Sequence, residues 1–299
     1  MCGIVGIYYK NKALNKDLGS MLGSMLVQMS ERGPDSAGVA VYRNPLDPPG
    51  VKLTLHTADD EYDWSQFRSR LAVAFSAEAE VEIRASHAVV STTAPLQELR
   101  AWLELHHPGL RVMSAGSTIE IYKEKGAPRE FVKRFQLQDF SGSHALGHTR
   151  MATESAITTQ HSHPFSTGLD LCLVHNGSLS NHNRLREELR RNGIEFQTDN
   201  DSEVAAGYLM WQLHQGASLE QALNHAIQDL DGFYTFAVGT RNGFAVLRDP
   251  IACKPAVLAE NDDWVAMASE FRAIAQLPGV EQATVWEPAP ATVYSWGEK

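Results

Sequence analysis

The second residue of the chain is a cysteine, and this position makes it a candidate nucleophile. Removal of Met1, which is favoured when the next residue is small, would leave a thiol and a free α-amine on the same residue. An α-amine has a pKa of about 8 in small peptides, so it can accept the thiol proton directly or through a water molecule. The alternative is a small buried hydrophobic residue, which is a common role for free cysteine.

An arginine and an Asn-Gly pair offer two complementary functions. Arg150 ends a strand-like run, where its guanidinium could hold a substrate carboxylate in a two-pronged contact. The side-chain amide of Asn176 and the backbone N–H of Gly177 could together form an oxyanion hole. A surface salt bridge for Arg150 and a simple turn at Asn176-Gly177 are the structural alternatives.

Acidic residues gather in the segment 198–203, Thr-Asp-Asn-Asp-Ser-Glu, at the predicted start of a helix. Helix capping and complementarity to the helix dipole explain such residues structurally. A substrate ammonium group would also require a carboxylate of this kind. The segment therefore has a structural and a substrate-binding interpretation.

These candidates must be positioned by strands and helices that the hydrophobic pattern predicts. A buried strand over 3–9 begins directly after Cys2, and the Asn-Gly of Arg241-Asn242-Gly243 predicts a hairpin with a type I′ turn. Methionines and leucines at helical spacing predict a core-facing helix over 17–29. Further helices are predicted over 95–105, 181–191, 202–214 (with Ser202 as N-cap) and 219–228. Consecutive strands that outnumber the helices indicate α+β sheet layers covered by helices.

The stretch 43–143 differs in character from the chain on either side of it. It opens with the proline-rich Asn-Pro-Leu-Asp-Pro-Pro-Gly and then carries strand-like runs, Ala-Val-Ala-Phe among them, with one helical run. We interpret it as a small inserted α+β subdomain. It is either a docking surface for a partner or a decoration without a contact role.

Composition excludes several classes of protein. The 299 residues carry 26 Lys and Arg against 36 Asp and Glu, a formal net charge of −10, which argues against nucleic-acid binding. No apolar run is long enough for a membrane span or a signal peptide, so a cytoplasmic protein without membrane contact is expected.

Metal and iron–sulfur centres are not favoured by the sequence. The three cysteines are scattered and suit neither a disulfide framework nor a zinc site. Histidines are dense between 144 and 182, but they lack an HExxH spacing or a carboxylate at a ligand interval. We expect some of them to bond backbone carbonyls in the core.

Six motifs, taken in chain order, resemble those of the class II glutamine amidotransferases. They are Met-Cys-Gly-Ile-Val-Gly, Glu-Arg-Gly-Pro-Asp-Ser-Ala-Gly, Gly-His-Thr-Arg-Met-Ala-Thr, His-Pro-Phe, His-Asn-Gly and Asn-Asp-Ser-Glu. The resemblance covers 1–42 and 144–299 and implies an N-terminal-nucleophile hydrolase fold, a four-layer αββα sandwich, with 43–143 outside the family core.

The resemblance also implies a role for each matched residue. It makes Cys2 the nucleophile with its own α-amine as base, with Asn176 and Gly177 holding the oxyanion of a reaction that proceeds through a γ-glutamyl thioester. Arg150 then binds the α-carboxylate of glutamine and Asp201 its α-ammonium. Further substrate-side positions implied by the family are Arg32, in a loop over bound glutamine, with Thr153 and His163 at the pocket.

Departures from the aminosugar-forming branch narrow the resemblance. Met151 stands where that branch carries Trp, and Glu154 replaces a His. The chain is most similar to separate glutaminase subunits of the glutamate synthase type, including the glutaminase subunit of N-methylglutamate synthase. This similarity implies a chain without its own cofactor that passes ammonia to a flavin-containing synthase partner, which could also hold iron–sulfur centres. The length, which leaves no room for a synthase domain, supports the same expectation.

Two other functions remain open at this level. One is a different N-terminal-nucleophile amidohydrolase, which the Arg150 and Asp201 pair argues against because that pair suits a free amino acid. The other is a non-catalytic glutamine-sensing subunit, which the combination of Cys2, Asn176 and Gly177 disfavours.

Overall fold

The computed structural model describes residues 2–152 and 157–297, and these residues form fifteen strands and eight α-helices. The strands are β1 (Gly3–Tyr9), β2 (Ser36–Tyr42), β3 (Val51–His56), β4 (Ala79–Arg84), β5 (His87–Thr92), β6 (Arg111–Gly116), β7 (Ile119–Lys125), β8 (His144–Arg150), β9 (Cys172–Leu179), β10 (Gly232–Thr240), β11 (Gly243–Arg248), β12 (Val257–Glu260), β13 (Trp264–Ala268), β14 (Thr284–Trp286) and β15 (Val293–Gly297). The α-helices are α1 (Leu18–Gln28), α2 (Trp64–Phe75), α3 (Leu96–His106), α4 (Pro128–Arg134), α5 (His182–Arg191), α6 (Asp201–His214), α7 (Leu219–Asp229) and α8 (Phe271–Ile274). Short 3-10 helices lie at Lys12–Asp17, Leu137–Asp139 and Val280–Gln282.

Two stacked sheets form the centre of the molecule. Seven strands follow the order β14-β12-β13-β1-β8-β2-β7 in the larger sheet, and four follow the order β15-β11-β10-β9 in the smaller one. The inner faces of the two sheets share one apolar core, in which Ile4 and Leu146 of the larger sheet pack with Val174 and Phe244 of the smaller.

A layer of helices covers the outer face of each sheet. α1 packs on the larger sheet through the predicted stripe, with Leu22, Met25 and Met29 fully buried. α5, α6 and α7 cover the smaller sheet, where Leu209 and Leu223 belong to its outer core. The order helix, sheet, sheet, helix is the αββα sandwich of the N-terminal-nucleophile hydrolases.

A third sheet lies within the predicted insertion. β4, β5, β3 and β6 pair in that order, and α2 and α3 close a separate apolar core around Leu53, Phe67 and Leu99. β7, although it also falls within 43–143, is paired with β2 over seven residue pairs and completes the larger sheet. The domain boundaries at 43 and 143 stay a prediction. β7 lies between these boundaries but belongs to the larger central sheet.

Three local predictions were wrong. Ala-Val-Ala-Phe is the end of α2 rather than a strand, because Trp64, Phe67 and Leu71 form a buried helical stripe that begins at an Asp63 cap. The stretch also contains α4 as an additional helix. The N-cap of α6 is Asn200, whose side chain accepts from the Ser202 N–H at 2.9 Å, and not Ser202.

The β10–β11 hairpin forms as predicted, with Thr240 opposite Gly243, but its turn is not of type I′. None of its residues 241–243, all of which the structure describes, has a positive φ. Gly243 is required for another reason, because a Cβ there would lie 1.9 Å from the Trp296 carbonyl oxygen of β15.

Candidate active site

A cleft of about 480 Å³ opens where the start of β1, the end of β8, the edge strand β9 and the first turn of α6 converge. The residues around it are mostly polar and include both signs of charge. They are Cys2, Arg150, Met151, Ala152, His163, His175, Gly177, Ser178, His182, Asp199, Asn200, Asp201, Ser202, Phe233 and Lys254. Five of the eight residues predicted for the site, Cys2, Arg150, His163, Gly177 and Asp201, therefore share this cleft.

The backbone of Cys2 is held in place by two side chains. Its carbonyl oxygen accepts from the Nε of Arg32 at 2.9 Å and from the Nδ2 of Asn176 at 3.2 Å. Its Sγ lies 3.8 Å from the carbonyl oxygen of Met151, and the residue is partly exposed to the cleft. These contacts fix the thiol at the start of β1 while leaving it accessible.

Gly177 presents its backbone to the cleft. Its φ is +153°, and a Cβ would lie 2.0 Å from the Phe233 carbonyl oxygen, so a side chain is excluded. Gly177 lies opposite Tyr234, whose N–H and carbonyl both bond Asp249 on the other side. The N–H and the carbonyl of Tyr234 thus point away from β9, so Gly177 and Tyr234 form a non-hydrogen-bonded pair of the antiparallel sheet. In such a pair the N–H groups of both residues point outward, and that of Gly177 points to the open edge of β9.

Arg150 is a buried cation at the end of β8. Cys2 precedes Gly3, which is paired with Thr149, so the β1–β8 register places Cys2 beside Arg150. Burial lowers the pKa of the Arg150 guanidinium, and the neighbouring Cys2 and Asp35 oppose this shift. The side chain therefore brings a desolvated positive charge to the cleft.

Asp201 supplies the opposite charge from the first turn of α6. One carboxylate oxygen accepts from the Leu179 N–H at 2.9 Å, and the other accepts from the Ser202 hydroxyl at 3.3 Å. The His175 Nδ1 lies 3.8 Å from the same second oxygen. The carboxylate is thus oriented by the protein with part of its surface open.

Neutral histidines support this acidic residue. The backbone N–H of His175 donates to the Nδ1 of His163 at 3.3 Å. The proton of a neutral His163 ring is therefore on Nε2, which lies 3.2 Å from the Ser202 hydroxyl. Burial holds the pKa of His163 well below its ordinary value and also lowers that of His175. His148 stacks on His163 with ring centroids 4.0 Å apart.

The remaining predicted residues lie elsewhere or outside the described chain. Arg32 is buried behind Cys2, and its other guanidinium contact is an ion pair with Glu270 at 2.7 Å. Asn176 is also buried and reaches the site through the Cys2 carbonyl. Thr153 lies outside the described residues, so the substrate-side roles of Arg32 and Thr153 stay predictions.

The structure adds residues that sequence reasoning did not single out. Ser202 joins His163, His175 and Asp201, although the sequence suggested only a helix cap there. Lys254 lies at the cleft with its Nζ 4.9 Å from the centroid of the Phe233 ring. Lys254 stands in the loop after β11, where neither periodicity nor a motif marks it.

The other cysteines lie outside the cleft. Cys172 is fully buried between the sheets, where it accepts from the Tyr42 hydroxyl at 3.4 Å. Burial raises the pKa of its thiol to about 12, so it stays neutral and unreactive at physiological pH. Cys253 is exposed beside Lys254.

The histidines resolve into structural contacts. The Nε2 atoms of His144 and His148 bond the carbonyl oxygens of Thr240 at 2.8 Å and His175 at 3.1 Å, as expected for core histidines. Within residues 2–152 and 157–297, no group of three or more potential ligands is arranged for a metal ion. Over the same residues, no helix has the length and apolar character of a membrane span.

Comparison with known proteins identifies the family. A sequence family described as a glutamine amidotransferase domain matches residues 148–276. The glutamine amidotransferase-like protein GlxB of Rhizobium meliloti (strain 1021) is 54% identical over 99% of this chain and 98% of its own length. The chain belongs to the class II glutamine amidotransferases. It is an enzyme of that family with an N-terminal-nucleophile hydrolase fold.

More distant relatives match this chain over part of their own length. The amidophosphoribosyltransferase of Methanocaldococcus jannaschii is 29% identical over 55% of this chain and 36% of its own. A solved structure, the glutamine phosphoribosylpyrophosphate amidotransferase from B. subtilis, has a TM-score of 0.59 at 20% identity and covers 99% of this chain. The chain covers 49% of that structure, so the similarity concerns the fold of about half of it.

Proposed function

We propose that this amidotransferase hydrolyses the side-chain amide of glutamine at Cys2. The observation that carries the proposal is the convergence of one accessible thiol, one buried cation and one oriented carboxylate on a single cleft, in Cys2, Arg150 and Asp201. A free amino acid presents an α-carboxylate and an α-ammonium, so Arg150 and Asp201 match both charges. The amide at the far end of the side chain is then presented to the thiol.

The first half of the reaction forms a thioester. Once Met1 has been removed, the α-amine of Cys2 takes the thiol proton, and the thiolate attacks the amide carbon. Collapse of the tetrahedral adduct breaks the C–N bond, and the proton carried by the α-amine leaves with the nitrogen as ammonia. Water, deprotonated by the same amine, then attacks the γ-glutamyl thioester, which releases glutamate and restores the thiol.

We assign two N–H groups, those of Gly177 and Asn176, to the oxyanion of each tetrahedral adduct. The Gly177 N–H points to the open edge of β9, and no side chain blocks the approach. The Asn176 amide nitrogen has two N–H donors, of which one bonds the Cys2 carbonyl at 3.2 Å. We assign the second donor to the oxyanion, where one such group typically contributes about 10²–10³ in kcat.

The ammonia is passed, in this proposal, to a synthase partner of the glutamate synthase type. The partner would be a flavin-containing protein, with or without iron–sulfur centres, while this chain binds glutamine without a cofactor of its own. The third sheet within 43–143, with its separate core, is the surface proposed to dock that partner. Deleting 51–116 and finding that the complex still forms would refute the docking role.

The catalytic proposal is tested by intact mass spectrometry with a diazoketone analogue of glutamine. We expect a chain that lacks Met1 and gains one adduct on Cys2 with loss of N₂, at a rate that added glutamine slows. Cys172→Ala is the matched control and should label normally. A folded chain that retains Met1 or forms no adduct would overturn the proposal, and this readout does not require the synthase partner.

A further inference from the structure

A buried lysine on β7 binds the loop that carries His163. The Lys123 Nζ donates to the carbonyl oxygens of Gln160 at 3.3 Å, Ser162 at 2.9 Å and Pro164 at 3.2 Å. An ammonium group has three N–H donors, so these three carbonyls use all of them. The Nζ also lies 4.6 Å from the centroid of the Phe165 ring.

The lysine holds this position without a direct ion pair. Lys123 is 4% exposed, and the polar contacts of its Nζ among the described residues are carbonyl oxygens rather than carboxylates. Burial lowers the pKa of Lys123 to about 7, and the nearby Glu203 carboxylate opposes the shift. An unpaired buried ammonium is costly, and a Met or Leu would fill the same volume without that cost, so packing alone does not account for Lys123.

Neutral imidazoles also face the ammonium. Lys123 contributes to the lowered pKa values of His56, which falls to about 4, and of His87 and His163. Each of these rings is therefore uncharged at neutral pH. Lys123 is the group among them whose charge changes near neutral pH.

The bound loop packs closely on the strand beside the lysine. Lys123 lies opposite Gly38 of β2. A Cβ on Gly38 would lie 2.1 Å from the His163 carbonyl oxygen and 2.6 Å from the Lys123 Cβ. Gly38 thus gives the loop backbone room to reach the ammonium.

Hydrogen-bond contacts connect this loop to Asp201, the carboxylate proposed to bind the substrate ammonium. His163 stands between Ser162 and Pro164, two of the three residues whose carbonyls Lys123 binds. The His163 Nε2 lies 3.2 Å from the Ser202 hydroxyl, and that hydroxyl donates to Asp201 at 3.3 Å. Movement of the loop would therefore change the orientation of the Asp201 carboxylate.

We propose that Lys123 is a positioning residue for glutamine binding, which it supports by holding the 160–164 loop so that His163 and Ser202 orient Asp201 toward the substrate ammonium. This inference rests on the proposed glutaminase function. Lys123 does not touch the substrate, so its loss should weaken binding of glutamine more than it slows the chemical step.

The test measures glutamine binding by titration calorimetry in a Cys2→Ala chain, where no turnover occurs. Lys123→Met in that background should weaken binding at least tenfold, and Lys123→Gln, a neutral donor, should weaken it similarly. The matched control is Lys125→Met, which removes an exposed lysine of the same strand and should bind within twofold of the parent. In the active chain, Lys123→Met should raise KM about tenfold and change kcat less than threefold.

The pH dependence of glutamine binding gives a second readout, because it changes the charge of Lys123 without a mutation at that position. The Cys2→Ala chain should bind glutamine at least twofold more weakly at about pH 7.5 than at about pH 6, because Lys123 loses most of its charge between them while α-amines, with a pKa of about 8, stay mostly protonated. Unchanged affinity in a folded Lys123→Met or Lys123→Gln chain would overturn the proposal, as would a flat pH profile if neither variant folds. Absence of glutamine binding by the Cys2→Ala chain itself would instead overturn the glutaminase function.

Discussion

Replacing Asp201 by asparagine tests the charge logic of the cleft with little structural disturbance. Asparagine has nearly the same volume, and its side-chain oxygen can still accept from the Leu179 N–H, which now lies 2.9 Å from the carboxylate. The change removes one negative charge from a side chain that is 21% exposed. In the proposed complex, the substrate ammonium then loses its ionic acceptor.

The expected loss follows from the strength of such a contact. A hydrogen bond to a charged group contributes about 1.5–3 kcal/mol, and about 1.4 kcal/mol corresponds to a factor of ten. Since four-fifths of the Asp201 side chain is shielded from water, screening is weak and we expect the upper part of this range. Asp201→Asn should therefore lower kcat/KM for glutamine by about 30- to 150-fold.

The assay follows ammonia release from glutamine and from glutaramate, which lacks the α-ammonium group. Asp201→Asn should lower kcat/KM for glutamine but leave glutaramate hydrolysis within about threefold of wild type. Asp199→Asn is the matched control, because Asp199 lines the same cleft with a side chain that is 86% exposed, and it should cost less than about threefold on both substrates. Equal losses on both substrates, or no loss on glutamine, would refute the assignment of Asp201 to the ammonium.

Three further predictions concern the thiol, the edge strand and the buried histidines. Cys2→Ser should lower glutaminase activity, measured as ammonia release, at least about 10³-fold, and Cys172→Ala should lower it less than threefold. A larger loss in Cys172→Ala than in Cys2→Ser would exclude Cys2 as the nucleophile. Gly177→Ala should reduce the free energy of unfolding by at least about 2 kcal/mol and the activity by about 10²-fold, because its Cβ would lie 2.0 Å from the Phe233 carbonyl oxygen. Wild-type stability in denaturant unfolding would contradict this prediction. Burial lowers the pKa of His144 to about 4, below the unfolded value of about 6.5, so its contribution to stability is complete above pH 6.5 and falls by about 2 kcal/mol on going to pH 5. His144→Gln should remove close to one proton from the pH dependence of unfolding between pH 5 and 6.5, and an unchanged slope would contradict it.

Local pattern was sufficient to predict elements that a helical stripe or a continuous apolar run marks in the sequence. The helix over 17–29 was expected from its spacing of Met and Leu, and α1 spans 18–28 with that stripe buried. The β10–β11 hairpin was expected from the Asn-Gly pair between two apolar runs, and it forms although its turn is not of type I′. In both cases the burial that selects the structure involves residues close in sequence.

Long-range pairing explains what the sequence did not predict. β7 follows the third sheet directly in the chain, but it pairs with β2, about eighty residues earlier. Its residues read as part of the insertion because nothing local distinguishes one strand partner from another. Lys123 was missed for the same reason, since a lysine in a strand indicates exposure until the carbonyls of 160–164 are brought over it.

Candidate site residues could be proposed from the sequence because they differ chemically from their surroundings. A cysteine at position 2, an arginine at the end of a strand and an Asn-Gly pair each suggested a function. In the structure Cys2, Arg150 and Gly177 line one cleft, and Asn176 bonds the Cys2 carbonyl behind it. The support around them was not visible: Ser202 reads as a helix cap, yet its hydroxyl joins two histidines to Asp201.

Register connects these chemical residues into one site. Gly3 lies opposite Thr149, so Cys2 and Arg150 extend beyond the same end of the β1–β8 pair. A slip of one residue would turn every side chain of β1 to the opposite face. Gly3 opposes such a slip, because a Cβ at its position would lie 2.8 Å from both the Met29 Cβ and the Thr149 Oγ1, and a slip would bring Cys2 or Ile4 there. Gly3 therefore serves the chemistry by fixing where the thiol and the guanidinium meet, although it provides no side chain to the reaction.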